Sequence, residues 1–143
     1  MSKRIFDLVL TTLGLAILSP FLLILILLVW INHGKPVFFR QVRPGYMAQP
    51  FRIFKFRTMR DLYDSDGNLL PDAERLTRFG RFMRSFRPDE IPELLNLLLG
   101  DMSLVGPRPL LMSYLPRHSA GHMRRHNVMP GQTRWAQLNG RKA

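Results

Sequence analysis

Asp89 and Glu90 are the only adjacent carboxylates in a chain of 143 residues where twenty-one Lys and Arg outnumber ten Asp and Glu. Like charges placed side by side repel, and that cost is offset by a nearby cation or by raising one pKa. Divalent-metal binding and nucleophilic chemistry both exploit such a pair. The plainer alternative is a helix start, where acidic side chains favour the positive end of the dipole. Two neighbouring stretches give the pair a context. Arginine recurs at every third position before it, at Arg75, Arg78, Arg81, Arg84 and Arg87. Beyond it lies Pro107-Arg108-Pro109, where two fixed φ angles hold an arginine in one direction, suited to a bidentate contact with phosphate. An ordinary surface turn is the alternative there. His118, His122 and His126 recur every fourth residue and could imitate a metal site on a helix. They lack an acidic or thiol companion, and Arg117, Arg124 and Arg125 would repel a cation, so they read as interfacial or solvated.

The elements that must position these residues begin with an apolar run. Leu8 to Ile31 carries no charged side chain and is long enough to cross a hydrocarbon layer of about 30 Å as a helix. It is too long for a signal peptide and lacks a cleavage site. Pro20 falls in the middle of the run, where it removes a backbone donor and opposes the carbonyl of Ala16; Ser19 can bond a freed carbonyl. Lys3 and Arg4 precede the run, and Lys35, Arg40, Arg43, Arg52, Lys55 and Arg57 follow it. Basic flanks stay on the cytoplasmic side, so the expectation is a re-entrant helix over residues 1–34, broken at Ser19-Pro20 and leaving by the face it entered. A kinked span is the alternative.

Residues 35–143 then follow as one domain on the side of those basic flanks. The formal charge is +11; Lys3, Arg4 and Asp7 account for one unit, leaving +10 after the apolar run. Such a surface seeks headgroups, nucleotide phosphates or nucleic acid. The absence of cysteine excludes disulfides and thiol chemistry. Residues 36 to 60 read as strand, turn and strand, with Phe51 to Phe56 alternating apolar and basic residues. Asp61 to Pro71 reads as a loop. One basic amphipathic helix is expected from Asp72, as its cap, through Arg87, with Leu76, Phe79, Phe82, Met83 and Phe86 turned to the membrane interface. Pro88 separates it from a helix over Asp89 to Leu99 that stops at Gly100. The fold class is thus mainly α with a short β ribbon, a re-entrant membrane helix and interfacial amphipathic helices.

Several motifs in order along the whole chain resemble the monotopic bacterial sugar transferases, the polyprenol-phosphate phosphoglycosyl transferases. They are Lys3-Arg-Ile-Phe-Asp7, Ser19-Pro20, Phe38-Phe-Arg-Gln-Val-Arg-Pro-Gly45 and Phe54-Lys-Phe-Arg-Thr-Met59. Further on come Asp89-Glu-Ile-Pro-Glu-Leu-Leu-Asn96, Gly100-Asp-Met-Ser-Leu-Val-Gly-Pro-Arg-Pro109, Pro130-Gly131, Trp135-Ala-Gln137 and Asn139-Gly-Arg141.

The resemblance implies a membrane hinge at Ser19 and Pro20, a cytoplasmic catalytic domain over residues 35–143, and a two-step reaction with Mg²⁺ at the cytoplasmic face of the bacterial inner membrane. Asp89 would attack the sugar-linked phosphorus of a UDP-sugar, releasing UMP; a polyprenol phosphate would then take the phosphosugar from Asp89. Glu90 would position Asp89 and share the metal with it. Lys55, Arg84, Arg108, Arg141 and Gln137 would surround the phosphates and substrate. The resemblance thus implies an enzyme of the EC 2.7.8 type that would initiate glycoconjugate assembly. Its expected partners are a UDP-sugar, a polyprenol phosphate and membrane lipid, with no nucleic acid, and a homo-oligomer as a further expectation. Arg134 stands where the family usually has glycine, and the family's domain runs on past Arg141, so a chain short of the family's C-terminal helices is expected. The rival is a non-catalytic, basic membrane-surface or nucleic-acid-binding protein, which accounts for the apolar run and the arginines but not for Asp89-Glu90 and the motifs.

Overall fold

The computed structural model describes residues 1–117 and 119–133. It is mainly helical, with short strands. The longest element is α1, Ser2–His33, in which Pro20 lies inside a helix that continues on both sides of it. Ser19 and Pro20 thus both stand inside α1. A single missing amide and one displaced carbonyl can be absorbed by local bending. Most of α1's large apolar side chains are exposed, among them Ile5, Phe6, Leu13, Ile17, Leu23, Ile24, Trp30 and Ile31.

Two strands follow, β1 (Phe38–Pro44) and β2 (Pro50–Phe56), joined through a turn at Tyr46–Ala48 into the expected two-stranded ribbon. The chain forms two compact units, divided at Ile17–Leu18, Phe39–Arg40, Phe54–Lys55 and Pro92–Glu93. Each takes one half of α1 and part of the ribbon.

The first unit is built on Asn96, which is completely buried. Its carbonyl oxygen accepts the Phe54 amide at 3.0 Å, and its amide nitrogen donates to Arg52 O at 2.7 Å. The same residue's backbone oxygen accepts from Gly100, Asp101 and Met102, closing the end of α4 (Leu94–Leu99). Gly100 follows at φ 94°, the left-handed conformation that a helix-ending glycine supplies. Arg4 donates to Leu97 O at 2.7 Å and Leu98 O at 3.2 Å, placing a cation on the carbonyl end of α4. Asp7 accepts the Ser103 hydroxyl at 2.6 Å, both side chains buried. Ser103 opens β3 (Ser103–Val105), which pairs in parallel with the later strand Gly131–Thr133, in register Ser103 to Gly131 and Val105 to Thr133.

The second unit has an apolar core of Leu25, Val29, Phe56 and Met83, with Leu22, Ile26, Val37, Phe38, Phe79 and Ile91 packed on it. The α1 members recur at three- and four-residue steps, one stripe of the helix. Phe38 and Phe56 stack across the ribbon at 5.3 Å.

The single basic helix expected over Asp72–Arg87 is instead two, α2 (Asp72–Arg75) and α3 (Arg78–Phe86). Leu76 is extended and Thr77 caps α3, its hydroxyl oxygen accepting the Gly80 amide at 2.8 Å. Asp72 is not the cap of α2 either; Pro71 holds that place and makes no side-chain cap bond. On α3, Phe82 and Phe86 are exposed with ring centroids 5.0 Å apart, while Met83 is fully buried. A short helix, Ala120–Met123, is α5, and the final strand Gly131–Thr133 is β4.

Candidate active site

Pro88 cannot continue α3 and disfavours helical backbone in the residue before it. Arg87 accordingly ends α3 at φ 63°, and the chain turns at once into a tighter 3-10 segment, Pro88–Glu93. The expected helix from Asp89 is thus helical only from Leu94. Pro92 lacks the amide that would close an α-type bond onto Pro88, so the first turn tightens. Asp89 and Glu90 sit in that turn.

The two carboxylates have different surroundings. Glu90 accepts from Lys55 Nζ at 3.0 Å, with both side chains about one-sixth exposed. Asp89 is 8% exposed, and its Oδ1 is buried with no hydrogen-bond partner among the described residues. Burial pushes the Asp89 carboxyl above the usual carboxylate range and the neighbouring Glu90 pushes it further; Lys55, the Asp89 backbone amide and Arg84 act against that rise. Arg84, on the surface of α3, donates its Nε–H to Thr58 Oγ1 at 3.0 Å. Asp89, Glu90, Lys55 and Arg84 therefore belong to one neighbourhood in the second unit.

This arrangement offers a desolvated carboxylate oxygen, a cation held by the adjacent carboxylate, and an arginine at the rim. An unbonded carboxylate oxygen on a protein this basic is a poor structural choice, since an unsatisfied buried acceptor is costly. It is a useful group for reacting with phosphorus or for ligating a hard cation. Among the described residues no cluster of three or more His, Cys, Asp or Glu could hold a metal by itself. Mg²⁺ uses one or two carboxylates together with substrate phosphates, so Asp89 and Glu90 fit such an ion.

Arg108 lies in the first unit, in the irregular segment after β3, and lines a pocket with Pro44, Gly45, Pro107, Pro109, Arg125, His126, Val128 and Pro130. Arg125 donates to Arg108 O at 3.3 Å. Burial and Arg108 lower the pKa of Arg43, whereas Glu93 raises it. His126 is buried, which corrects its reading as interfacial or solvated; His122 is exposed on α5. His118, Arg134, Trp135, Gln137, Asn139 and Arg141 lie outside the described residues. Ser19 and Pro20 lie within α1, next to the division between the two units at Ile17–Leu18.

Sequence reasoning missed Thr58, Thr77 and Asn96. The signal for Thr77 was present, a threonine three residues before Gly80, but the regular arginine spacing masked it. Thr58 and Asn96 stood inside motifs quoted from the sequence, but nothing near either one named its hydrogen-bond partners.

A family model described as bacterial sugar transferase matches residues 1–143. The chain is 55% identical over 141 residues to the uncharacterized sugar transferase EpsL of Bacillus subtilis (strain 168), covering 99% of this chain and 70% of that protein. It is 40% identical over 144 residues to the UDP-glucose:undecaprenyl-phosphate glucose-1-phosphate transferase of Escherichia coli (strain K12), covering 96% of this chain and 31% of the relative. It is 37% identical over 141 residues to the UDP-N-acetylgalactosamine-undecaprenyl-phosphate N-acetylgalactosaminephosphotransferase of Aeromonas hydrophila, covering 95% of this chain and 33% of that protein. With every motif in order, a family model matched from end to end and relatives at these identities, the chain belongs to the bacterial sugar transferase family.

Proposed function

We propose that this chain transfers a phosphosugar from a UDP-sugar to a polyprenol phosphate, with Asp89 as the nucleophile. The observation that carries the reading is the Asp89 Oδ1 atom, buried and without a hydrogen-bond partner among the described residues, beside a glutamate that Lys55 engages. The names of the relatives from Escherichia coli and Aeromonas hydrophila supply the substrate class, a UDP-sugar and undecaprenyl phosphate. They carry different sugars at similar identity, so the reading stops at the class. The rival reading, a non-catalytic basic surface protein, has no account of the carboxylate pair or of the family.

In the first step an Asp89 carboxylate oxygen attacks the sugar-linked phosphorus. The phosphoanhydride bond breaks and UMP departs with the bridging oxygen and its electron pair, leaving the phosphosugar on Asp89. In the second step a phosphate oxygen of the polyprenol phosphate attacks the same phosphorus and Asp89 leaves as carboxylate, giving polyprenol diphosphate-sugar. Splitting one displacement into two is what a carboxylate nucleophile contributes. The rest is positioning and charge neutralisation. Lys55 holds Glu90 and opposes protonation of Asp89; Arg84, in the same neighbourhood, would meet the incoming phosphate. Arg108, Arg141 and Gln137 are assigned to the substrate on the family resemblance. Mg²⁺, held by Asp89 and Glu90, would neutralise charge on the diphosphate.

We further infer that α1 enters the cytoplasmic leaflet of a bacterial inner membrane and returns, with Ser19 and Pro20 as its hinge. Two features support this: the exposed apolar side chains of α1 and the proline inside it.

The test is conversion of a radiolabelled UDP-sugar, with Mg²⁺ and undecaprenyl phosphate, into an organic-extractable product. The wild-type chain should form it and Asp89→Asn should not. Product formed equally by both would remove Asp89 from the reaction.

A further inference from the structure

We propose that Thr58 is a positioning residue: its buried hydroxyl takes the Nε–H of Arg84 and leaves the two terminal guanidinium nitrogens as an end-on fork for the sugar-linked phosphate. The inference rests on the reading of Asp89 as the nucleophile.

Thr58 follows β2 by two residues and is 7% exposed. Arg84, by contrast, projects from the surface of α3, where a side chain this long would sample many rotamers. One hydrogen bond of 3.0 Å to a fixed acceptor removes much of that freedom. The acceptor is fixed because α3 is seated on it. Gly80 lies one turn before Arg84 on the same face, and a methyl group there would overlap the Thr58 carbonyl oxygen. Thr77 caps the helix three residues earlier, so the register of α3 against Thr58 is set at the backbone.

The chemistry then follows from the shape of guanidinium. It has five N–H donors in a planar fork, and phosphate is held best by two parallel ones. With Nε committed to Thr58, the available pair is the terminal one. Arg84 lies in the last turn of α3 and Asp89 in the turn opened by Pro88, both in the second unit, so the Arg84 charge lies near the reacting carboxyl. The phosphate it meets is thus the one Asp89 attacks, and UMP, which lacks that phosphate, should not depend on it.

Thr58→Val keeps the shape and removes the hydroxyl; Thr58→Ser keeps the hydroxyl. Binding of UDP and of UMP, each with Mg²⁺, is measured by calorimetry on the intact chain in detergent. Thr58→Val should weaken UDP about tenfold, the loss of one charge-assisted contact, and leave UMP unchanged. Thr58→Ser should restore UDP binding. Arg84→Ala should weaken UDP similarly, and Thr58→Val added to Arg84→Ala should cost nothing more. UDP binding unaffected by Thr58→Val, equal loss of UDP and UMP, or fully additive losses would overturn the inference alone. A wild-type chain that binds neither nucleotide would overturn the functional reading and this inference with it.

Discussion

Lys55 Nζ stands 3.0 Å from a carboxylate oxygen of Glu90, while the neighbouring Asp89 keeps a buried oxygen with no hydrogen-bond partner among the described residues. Adjacent residues of the same chemical type are thereby given different roles. One is held by a cation. The other is desolvated, as the proposed nucleophile requires.

Replacing Lys55 tests that division. Lys55 is the first of the influences that keep Asp89 ionised against burial and Glu90. Lys55→Met should therefore move the acid limb of the pH–rate profile for UMP release to higher pH. At neutral pH the rate should fall about tenfold or more, roughly 1.4 kcal/mol of barrier. A profile superimposable on that of the wild type would show that Lys55 does not tune the nucleophile.

The same carboxyl makes a stability prediction of opposite sign. Its folded-state pKa is raised above the ordinary value, so the native state binds the proton more tightly than the unfolded chain. Below the ordinary carboxylate range both forms are protonated and there is no cost. As pH rises toward the raised pKa, stability falls, and the cost is complete above it. Asp89→Asn should thus unfold at higher temperature than wild type in Mg²⁺-free buffer at neutral pH, and the gain should vanish in acid. Calorimetric or fluorescence melts of both proteins across pH check this.

Gly80→Ala should lower stability rather than raise it, despite alanine's better helix propensity. The added methyl would overlap the Thr58 backbone carbonyl, and a backbone atom cannot step aside as a side-chain end can. Overpacking of this kind costs about 1–3 kcal/mol, more than the propensity gain of about 1 kcal/mol. A melt showing a stabilised Gly80→Ala protein would contradict the described seating of α3.

Asn96→Leu is nearly isosteric but leaves the Phe54 amide and the Arg52 carbonyl without their partner in the first unit. Buried orphaned groups cost about 1–3 kcal/mol each. The variant should melt at markedly lower temperature, and Asn96→Asp should melt no higher, because it sets a buried carboxylate oxygen against the Arg52 carbonyl and the Asp101 carboxylate in place of a donor.

The topology of α1 is testable by single cysteines introduced at Ser2 and at Asn127 in intact cells. Both should resist a membrane-impermeant reagent until the cells are opened. Labelling of the first from outside would establish a span in place of a hairpin.

Local signals in the sequence read well. Gly100 ends α4, Phe38–Phe56 forms a ribbon, and Asp89-Glu90 follows directly on the arginine-rich helix. Long-range partners did not read at all. Asp7 and Ser103 meet across 96 residues, and nothing near either one names the other. Simple alternation in β2 also failed, because Ile53 and Phe56 are both buried although they are out of phase. Each serves a different unit, a division that periodicity cannot encode. The split of α2 from α3 was hidden for a related reason: three-residue arginine spacing fits a helix whether or not a threonine interrupts it.

The central claim is a phosphosugar carried on Asp89, and the direct measurement is mass spectrometry of the protein itself. The chain is incubated with a UDP-sugar and Mg²⁺, without polyprenol phosphate, quenched in acid and digested. The account predicts a mass increase of one phosphosugar on the peptide containing Asp89, with UMP released in equal amount, and loss of that adduct when polyprenol phosphate is added before the quench. UMP release and lipid product that appear only when both substrates are present, with no adduct on that peptide, would contradict it.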